Sequence, residues 1–232
     1  MSTVLFNCAT VLLGGICGML VGGRLPRRVT DAVMRALGLC TLAVGVSGVL
    51  KGENTLVSIL SMALGTGVGT ALDLDGKLER ASERLTRRFK AQQEGKPTVG
   101  QGLVAASLLF CIGSMAFVGS ISAGLGDGAM LQTKAIIDMC AAFALASAMG
   151  LGVPLSALTI LLVQGALALL AGVLQPLMSG GVLAELTCTG SLLVLAIGFN
   201  LLGITKLKTA DMLPALLLAP LLTKLLPLIG LG

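Results

Sequence analysis

An acid and an amine lie four residues apart in one of the most apolar stretches of the chain. Lys134 and Asp138 occur in "LQTKAIIDMCAAFALASAMG", residues 131 to 150. Side chains at i and i+4 share one face of a helix and can form an ion pair. Two interpretations follow. Either Lys134 snorkels outward and the pair merely holds the helix in position, or the pair faces a cavity and exchanges partners with a substrate or ion. In the second interpretation Asp138 is the coupling carboxylate or a cation ligand.

Other polar side chains interrupt apolar segments in the same way. An amide in such a segment often only bonds a neighbouring helix, but several amides could also converge on one site. The Gly-Ser pairs at 113–114 and 119–120 can kink a helix and leave backbone N–H and C=O groups without their helical partners. Inside a membrane such groups must lie against protein or line a water-filled cavity. We therefore predict a substrate- or ion-binding site formed by Asp138, Lys134, Ser114, Gln164, Asn200, Asn7, Asp127 and Thr133.

The composition indicates what surrounds these residues. The 232-residue chain is 55% hydrophobic and 12% charged, whereas a soluble domain carries about 25% charged residues. Several apolar runs reach the length needed to cross the hydrocarbon of a bilayer. We predict an all-α polytopic membrane bundle of about eight transmembrane helices with the lipid bilayer as its partner. The predicted spans are 3–23, 33–50, 54–73, 100–122, 131–151, 154–177, 184–203 and 211–230.

Metal, cofactor and enzymatic chemistry are weakly supported by the residue types. The six cysteines are scattered singly and the chain has no histidine, so we expect no metal centre and no cofactor. Enzymes that work inside bilayers usually present paired acids, histidines or a nucleophile with a base, and we count only one deeply placed acid. We therefore expect no enzymatic activity.

Basic residues predict the orientation of the spans. Thirteen of the sixteen Lys and Arg residues lie in three connections that an eight-span chain places on one side. The positive-inside rule makes that side the cytoplasm and both termini external. The longest connection, from 73 to 96, has apolar residues every three or four positions and reads as an amphipathic surface helix. We interpret its charges as a membrane anchor, with no nucleic-acid partner.

An internal repeat suggests how the chain is organised. The stretch "VLLGGICGMLVGGRLP" from 11 matches "LLVQGALALLAGVLQP" from 161, and two further pairs of spans follow at similar offsets. The matched spans lie five apart, so the two copies cross in opposite directions. We predict a first three-helix repeat over 1–73, a cytoplasmic amphipathic helix and linker over 74–98, a central two-helix hairpin over 99–152, and a second, inverted three-helix repeat over 153–232.

The central block also resembles a known family. The stretches "SLLFCIGSMAFVGSISAGLGDG", "LQTKAIIDMCAAFALASAMGLGV", "SALTILLVQGALALLAG" and "MLPALLLAP" are similar to the bacterial inner-membrane family of unknown function typified by YdfK and YqgA. The resemblance covers nearly the whole chain, from Asn7 to about Pro220. It implies a multi-pass protein of the bacterial cytoplasmic membrane, often described as a transport protein, and it supplies no substrate residues.

These observations favour a secondary transporter of a small polar solute or ion, because inverted repeats give inward-open and outward-open states of similar energy. A passive channel or pore and a non-catalytic membrane scaffold remain alternatives. Single-channel conductance would identify a channel, and co-purification from native membranes would identify a scaffold. The many glycine faces also allow a homo-oligomer, whose size the sequence leaves open.

Overall fold

A computed structural model describes residues 1–22, 26–78, 80, 98–111, 114–174 and 180–226. Regular structure within these ranges is helical, as predicted, and no strand occurs in them. The helices are α1 (Ser2–Gly22), α2 (Arg27–Val49), α3 (Thr55–Ala71), α4 (Val99–Cys111), α5 (Ser114–Gly124), α6 (Ala129–Met149), α7 (Gly152–Leu169), α8 (Ala171–Leu174), α9 (Gly180–Leu201) and α10 (Ala215–Leu225), with a 3-10 turn at Thr209–Met212 before α10.

The prediction of eight full-length spans is wrong for the described ranges. Four helices, α1, α6, α7 and α9, are long and apolar enough to cross a membrane, and a fifth span results if α4 and α5, bent by 66°, count as one. The apolar parts of α2 and α3, at Met34–Val49 and Thr55–Ala71, are shorter. The predicted span 54–73 exceeds α3 because it includes the capping residues Asn54 and Leu72. At about 1.5 Å per residue, each lost turn shortens a span appreciably.

The chain divides into two compact units, each built from separate segments. Unit 1 comprises Met1–Leu37 and Leu78–Leu174, and unit 2 comprises Gly38–Lys77 and Gln175–Gly232. The predicted amphipathic surface helix lies mostly outside the described residues, which in that region show helical backbone at 74–78 and 80.

In unit 1, glycines on one face of α1 allow very close packing against α6. The adjoining pairs are Gly14 with Met139, Gly18 with Phe143 and Gly22 with Ser147, in each case against the α6 backbone. Residue numbers rise together on the two helices, so α1 and α6 run parallel. Because glycine lacks a side chain, these backbones approach more closely than larger residues would permit.

The helix α7 packs on α1 in the opposite direction. Gly15 lies against Pro154, whereas Asn7, nearer the start of α1, bonds to Gln164, nearer the end of α7. Residue numbers therefore rise on one helix as they fall on the other. The first helices of the two predicted repeats are thus antiparallel neighbours within unit 1.

Unit 2 holds the other two matched helix pairs, apart from the start of α2, and both pairs are antiparallel. Three glycines of α2 and its following turn adjoin α9 in reverse order, with the pairs Gly38–Leu202, Gly45–Leu195 and Gly52–Cys188. On α3, Gly65 adjoins Ala215 and Gly69 adjoins Asp211. Antiparallel pairing is the relation that an inverted repeat requires, although the repeat itself remains a prediction.

Candidate functional site

Four of the predicted polar residues meet in the interior of unit 1. They come from three helices: Asn7 from α1, Lys134 and Asp138 from α6, and Gln164 from α7. The close parallel approach of α1 to α6 and the antiparallel approach of α7 bring them together. Each lies roughly 7–14 Å along its helix from the end that the charge pattern assigns to the outside.

The central contacts run through the Asn7 side chain. Its Nδ2 donates to Gln164 Oε1 at 2.9 Å and lies 3.4 Å from Asp138 Oδ2. The Lys134 ammonium pairs with the same Asp138 oxygen. Carboxylate, amine and two amides therefore form one continuous network across three helices.

This network is shielded from the surface of unit 1. Asn7 and Gln164 are fully buried, Lys134 is 6% exposed and Asp138 is 5% exposed. The Lys134 Nζ lies 6.0 Å from the centre of the buried Phe110 ring, within the range of a cation–π interaction. Lys134 does not snorkel to the surface. The structure therefore contradicts that part of the interpretation in which the ion pair merely holds the helix in position.

Two atoms of the network lack a hydrogen-bond partner. Asn7 Oδ1 and Gln164 Nε2 are buried and unpaired within the described residues. A buried polar atom without a partner costs about 1–3 kcal/mol, and such exceptions point to a strained site, a bound water or an absent ligand. The site can therefore offer one more acceptor and one more donor than the structure uses.

The other four predicted site residues do not join this cluster. Asp127 and Thr133 are exposed, and both bond locally to Ala129 at the start of α6, Asp127 to its N–H and Thr133 to its carbonyl. Asn200 belongs to unit 2, where its side chain accepts from the Leu207 N–H and donates to the Leu207 carbonyl, which closes the turn after α9. Ser114 begins α5, and its side chain lies outside what the structure describes. Asp127, Thr133 and Asn200 thus have local structural bonds.

Sequence reasoning missed two acids that are buried in unit 2. Glu185 is 1% exposed and Asp211 is 3% exposed. Asp211 accepts from the Asp75 N–H at 2.9 Å. Glu185 stands in the apolar segment "VLAELTCTG", and that isolated charge was the available signal.

Glu185 caps a helix that is distant in sequence. One carboxylate oxygen accepts from the N–H groups of Glu53 and Asn54, both at 2.6 Å, just before α3. The other accepts from the Ser58 hydroxyl at 3.0 Å. Unpaired N–H groups at a helix N-terminus favour a negative charge, which explains how this acid is accommodated.

Unit 2 also contains a large, mainly apolar cavity of about 1100 Å³. It runs along one face of α3, including Thr55, Ser58 and Met62, and along α9 from Cys188 to Phe199. Ser58 connects the cavity to Glu185. The described parts of the chain contain no group of three or more Cys, Asp or Glu placed to hold a metal ion.

Comparisons with known proteins agree with the membrane character of the helices. The chain is 30% identical over 221 residues to the uncharacterized membrane protein YdfK of Bacillus subtilis (strain 168), covering 93% of each chain. It is 32% identical over 217 residues to the uncharacterized protein YqgA of Escherichia coli (strain K12), covering 92% of each. No solved structure is significantly similar.

A family model extends over almost the same residues. Residues 2–224 match the family described as "Protein of unknown function (DUF554)". This match includes all four residues of the unit 1 cluster and confirms the resemblance drawn from the central stretches. The chain is therefore a member of the DUF554 family of membrane proteins.

Proposed function

We propose that this protein is a secondary transporter of a small polar solute or ion. The observation that carries the proposal is the buried network of Asn7, Lys134, Asp138 and Gln164, with its two unpaired amide atoms. An acid inside the bilayer costs about 2.5–3.5 kcal/mol by insertion scales, and intramembrane ionisable groups usually mark substrate or proton pathways.

The helix arrangement supports alternating access. Each helix pair matched by the predicted repeat packs antiparallel inside one unit, α1 with α7, α2 with α9, and α3 with α10. Two copies of opposite orientation can exchange conformations, so that one arrangement opens outward and its mirror opens inward. A scaffold would gain nothing from two unpaired amide atoms in its core.

The proposed role assigns a specific task to the ion pair. Asp138 holds Lys134 when the site is empty and turns to the cargo when it is filled. Asn7 and Gln164 supply hydrogen bonds to the cargo. These groups include no nucleophile with an adjacent base, and we propose no catalytic step. We place the protein in the bacterial inner membrane with its N-terminus outside, because this orientation puts the basic connections in the cytoplasm.

Flux measurements in proteoliposomes test the proposal. Purified protein is reconstituted, and uptake of labelled ions and small polar solutes is measured against protein-free vesicles. We expect saturable uptake that the Asp138→Asn variant loses and that the Asp127→Asn variant keeps, since Asp127 is exposed. Uptake that never saturates would identify a pore, and unchanged uptake by Asp138→Asn would remove this acid from the mechanism.

A further inference from the structure

We propose that the unit 1 cluster is a binding site for a monovalent alkali cation, and that the Lys134 ammonium is a tethered competitor that occupies it when the cation is absent. The inference rests on the proposed function for its biological meaning, because it names the class of cargo or coupling ion. It is argued from the geometry of the cluster alone.

Oxygen atoms already converge on one point. The Asn7 Nδ2 lies 3.4 Å from Asp138 Oδ2 and 2.9 Å from Gln164 Oε1, so both oxygens face the same place. Alkali cations bind oxygen ligands such as carboxylates and carbonyl oxygens. Rotating the Asn7 amide by half a turn would replace its nitrogen at that point with Oδ1, which now has no partner. Oxygens from three helices would then adjoin one another, and an ion that replaces the Lys134 ammonium beside Asp138 would bind among them.

The net charge of the cluster favours the binding of one monovalent cation. Asp138 is the one carboxylate in the cluster, and the Lys134 ammonium pairs with it directly. Two cations facing one carboxylate in a buried site would leave an uncompensated charge, which is strongly unfavourable. Entry of a cation therefore requires Lys134 to withdraw. Lys134 lies near the start of α6, from which its long side chain can reach the surface.

The tightness of the cluster favours an ion over a larger solute. Asn7 bonds Gln164 directly and reaches Asp138, and all four side chains are at least nine-tenths buried. A solute of several heavy atoms would have to separate these helices, whereas a dehydrated cation needs the space of one nitrogen. The described residues hold no Cys, Asp or Glu cluster for a transition metal, and a site with one carboxylate and two amides carries too little charge for a divalent ion.

Thermal unfolding of the purified protein tests the cation site without requiring transport. Unfolding midpoints are measured in LiCl, NaCl and KCl against choline chloride at equal ionic strength. A ligand that binds only the folded state raises the midpoint with its concentration. We expect at least one alkali chloride to raise it saturably, by about 5 °C at a concentration a hundredfold above half-saturation.

Variants separate this proposal from a merely structural network. Lys134→Met removes the competitor and should lower the half-saturating salt concentration at least tenfold. Asp138→Asn should abolish the shift. If that variant does not fold, Gln164→Met, which keeps shape but removes the amide oxygen, should weaken it at least tenfold. Asp127→Asn should bind as the parent does.

The outcomes for the two proposals are distinguishable. A saturable shift that Lys134→Met strengthens supports the cation site even if vesicles show no flux, in which case the transport proposal fails. Equal midpoints in all four chlorides, or a shift unchanged in Asp138→Asn and Gln164→Met, would overturn the cation site even if an organic solute is transported.

Discussion

Asn7 and Gln164, 157 positions apart in the chain, are joined by a 2.9 Å hydrogen bond in the interior of unit 1. This bond links α1 to α7, which run antiparallel and carry the first helices of the two predicted repeats. It also brings both amides to the Lys134–Asp138 pair. The candidate site therefore depends on contact between the beginning of the chain and a helix far along it.

Replacing Asn7 with leucine should destabilise unit 1. Leucine has the same side-chain branching but leaves Gln164 Oε1 without its donor, which costs about 1–3 kcal/mol of unfolding free energy. Unfolding in detergent micelles measures the loss. Thr133→Val is the matched control, because Thr133 is exposed and bonds only within α6. Equal stability of the two variants would contradict the buried network.

Removing both members of the ion pair should cost less than the sum of the two single losses. Either Lys134→Met or Asp138→Asn leaves a buried group without its partner, and breaking a buried pair costs about 3–5 kcal/mol. The double variant removes the charges together and should recover part of that loss, with a coupling free energy of about 1–3 kcal/mol. A double-mutant cycle of unfolding free energies gives this coupling. Strictly additive losses would show that the two side chains do not stabilise each other.

A methyl group on the α1 face should disrupt its contact with α6. Gly18 lies against the backbone of Phe143, so in Gly18→Ala the helices must separate, with a cost of about 1–3 kcal/mol as in overpacked cores. Gly165 of α7 has open space where a Cβ would lie. Gly165→Ala should therefore be neutral or should stabilise the protein by up to about 1 kcal/mol, because alanine favours helix. Thermal unfolding of both variants checks the contrast, and a reversed order would refute the packing described.

Loss of the Glu185 carboxylate should destabilise the start of α3. Glu185→Ala leaves the N–H groups of Glu53 and Asn54 without their acceptor, with an expected cost of about 1–3 kcal/mol. Hydrogen exchange at these two amides should accelerate in the variant. Glu53→Gln is a suitable control, since the Glu53 side chain is exposed and the bond uses only its backbone. Unchanged exchange rates would exclude Glu185 as the cap.

The orientation proposed from charge can be tested by labelling. Single cysteines are introduced at Asp127 and at Lys206 after the six native cysteines are replaced, and intact cells are treated with a membrane-impermeant maleimide. Asp127→Cys should react in intact cells, whereas Lys206→Cys should react only after the membrane is opened. The opposite pattern would place the basic connections outside, against the positive-inside rule.

Local patterns account for what could be predicted from the residues alone. Apolar runs and few charges indicate membrane helices, because the cost of exposing backbone polar groups to lipid leaves few alternatives. The spacing of Lys134 and Asp138 predicts their pairing, since helix geometry alone places i and i+4 together. The lengths of the helices were harder to predict from the sequence. Apolar residues continue through caps such as Asn54, and a count of spans read from hydropathy came out too high.

The contacts between helices depend on tertiary packing, which local sequence patterns do not reveal. Asn7 reaches the ion pair because glycines at 14, 18 and 22 let α1 lie directly on α6, and Gln164 joins it through the Asn7 side chain. Asn200 has the same amide group in an equally apolar segment, yet it closes a turn in unit 2. Glu185 finds its partners at the start of α3, far away in sequence. Polar groups in an apolar interior form hydrogen bonds with the groups that the tertiary structure places within reach. The residue types therefore show which side chains could form a site, and the packing of the helices decides which of them do.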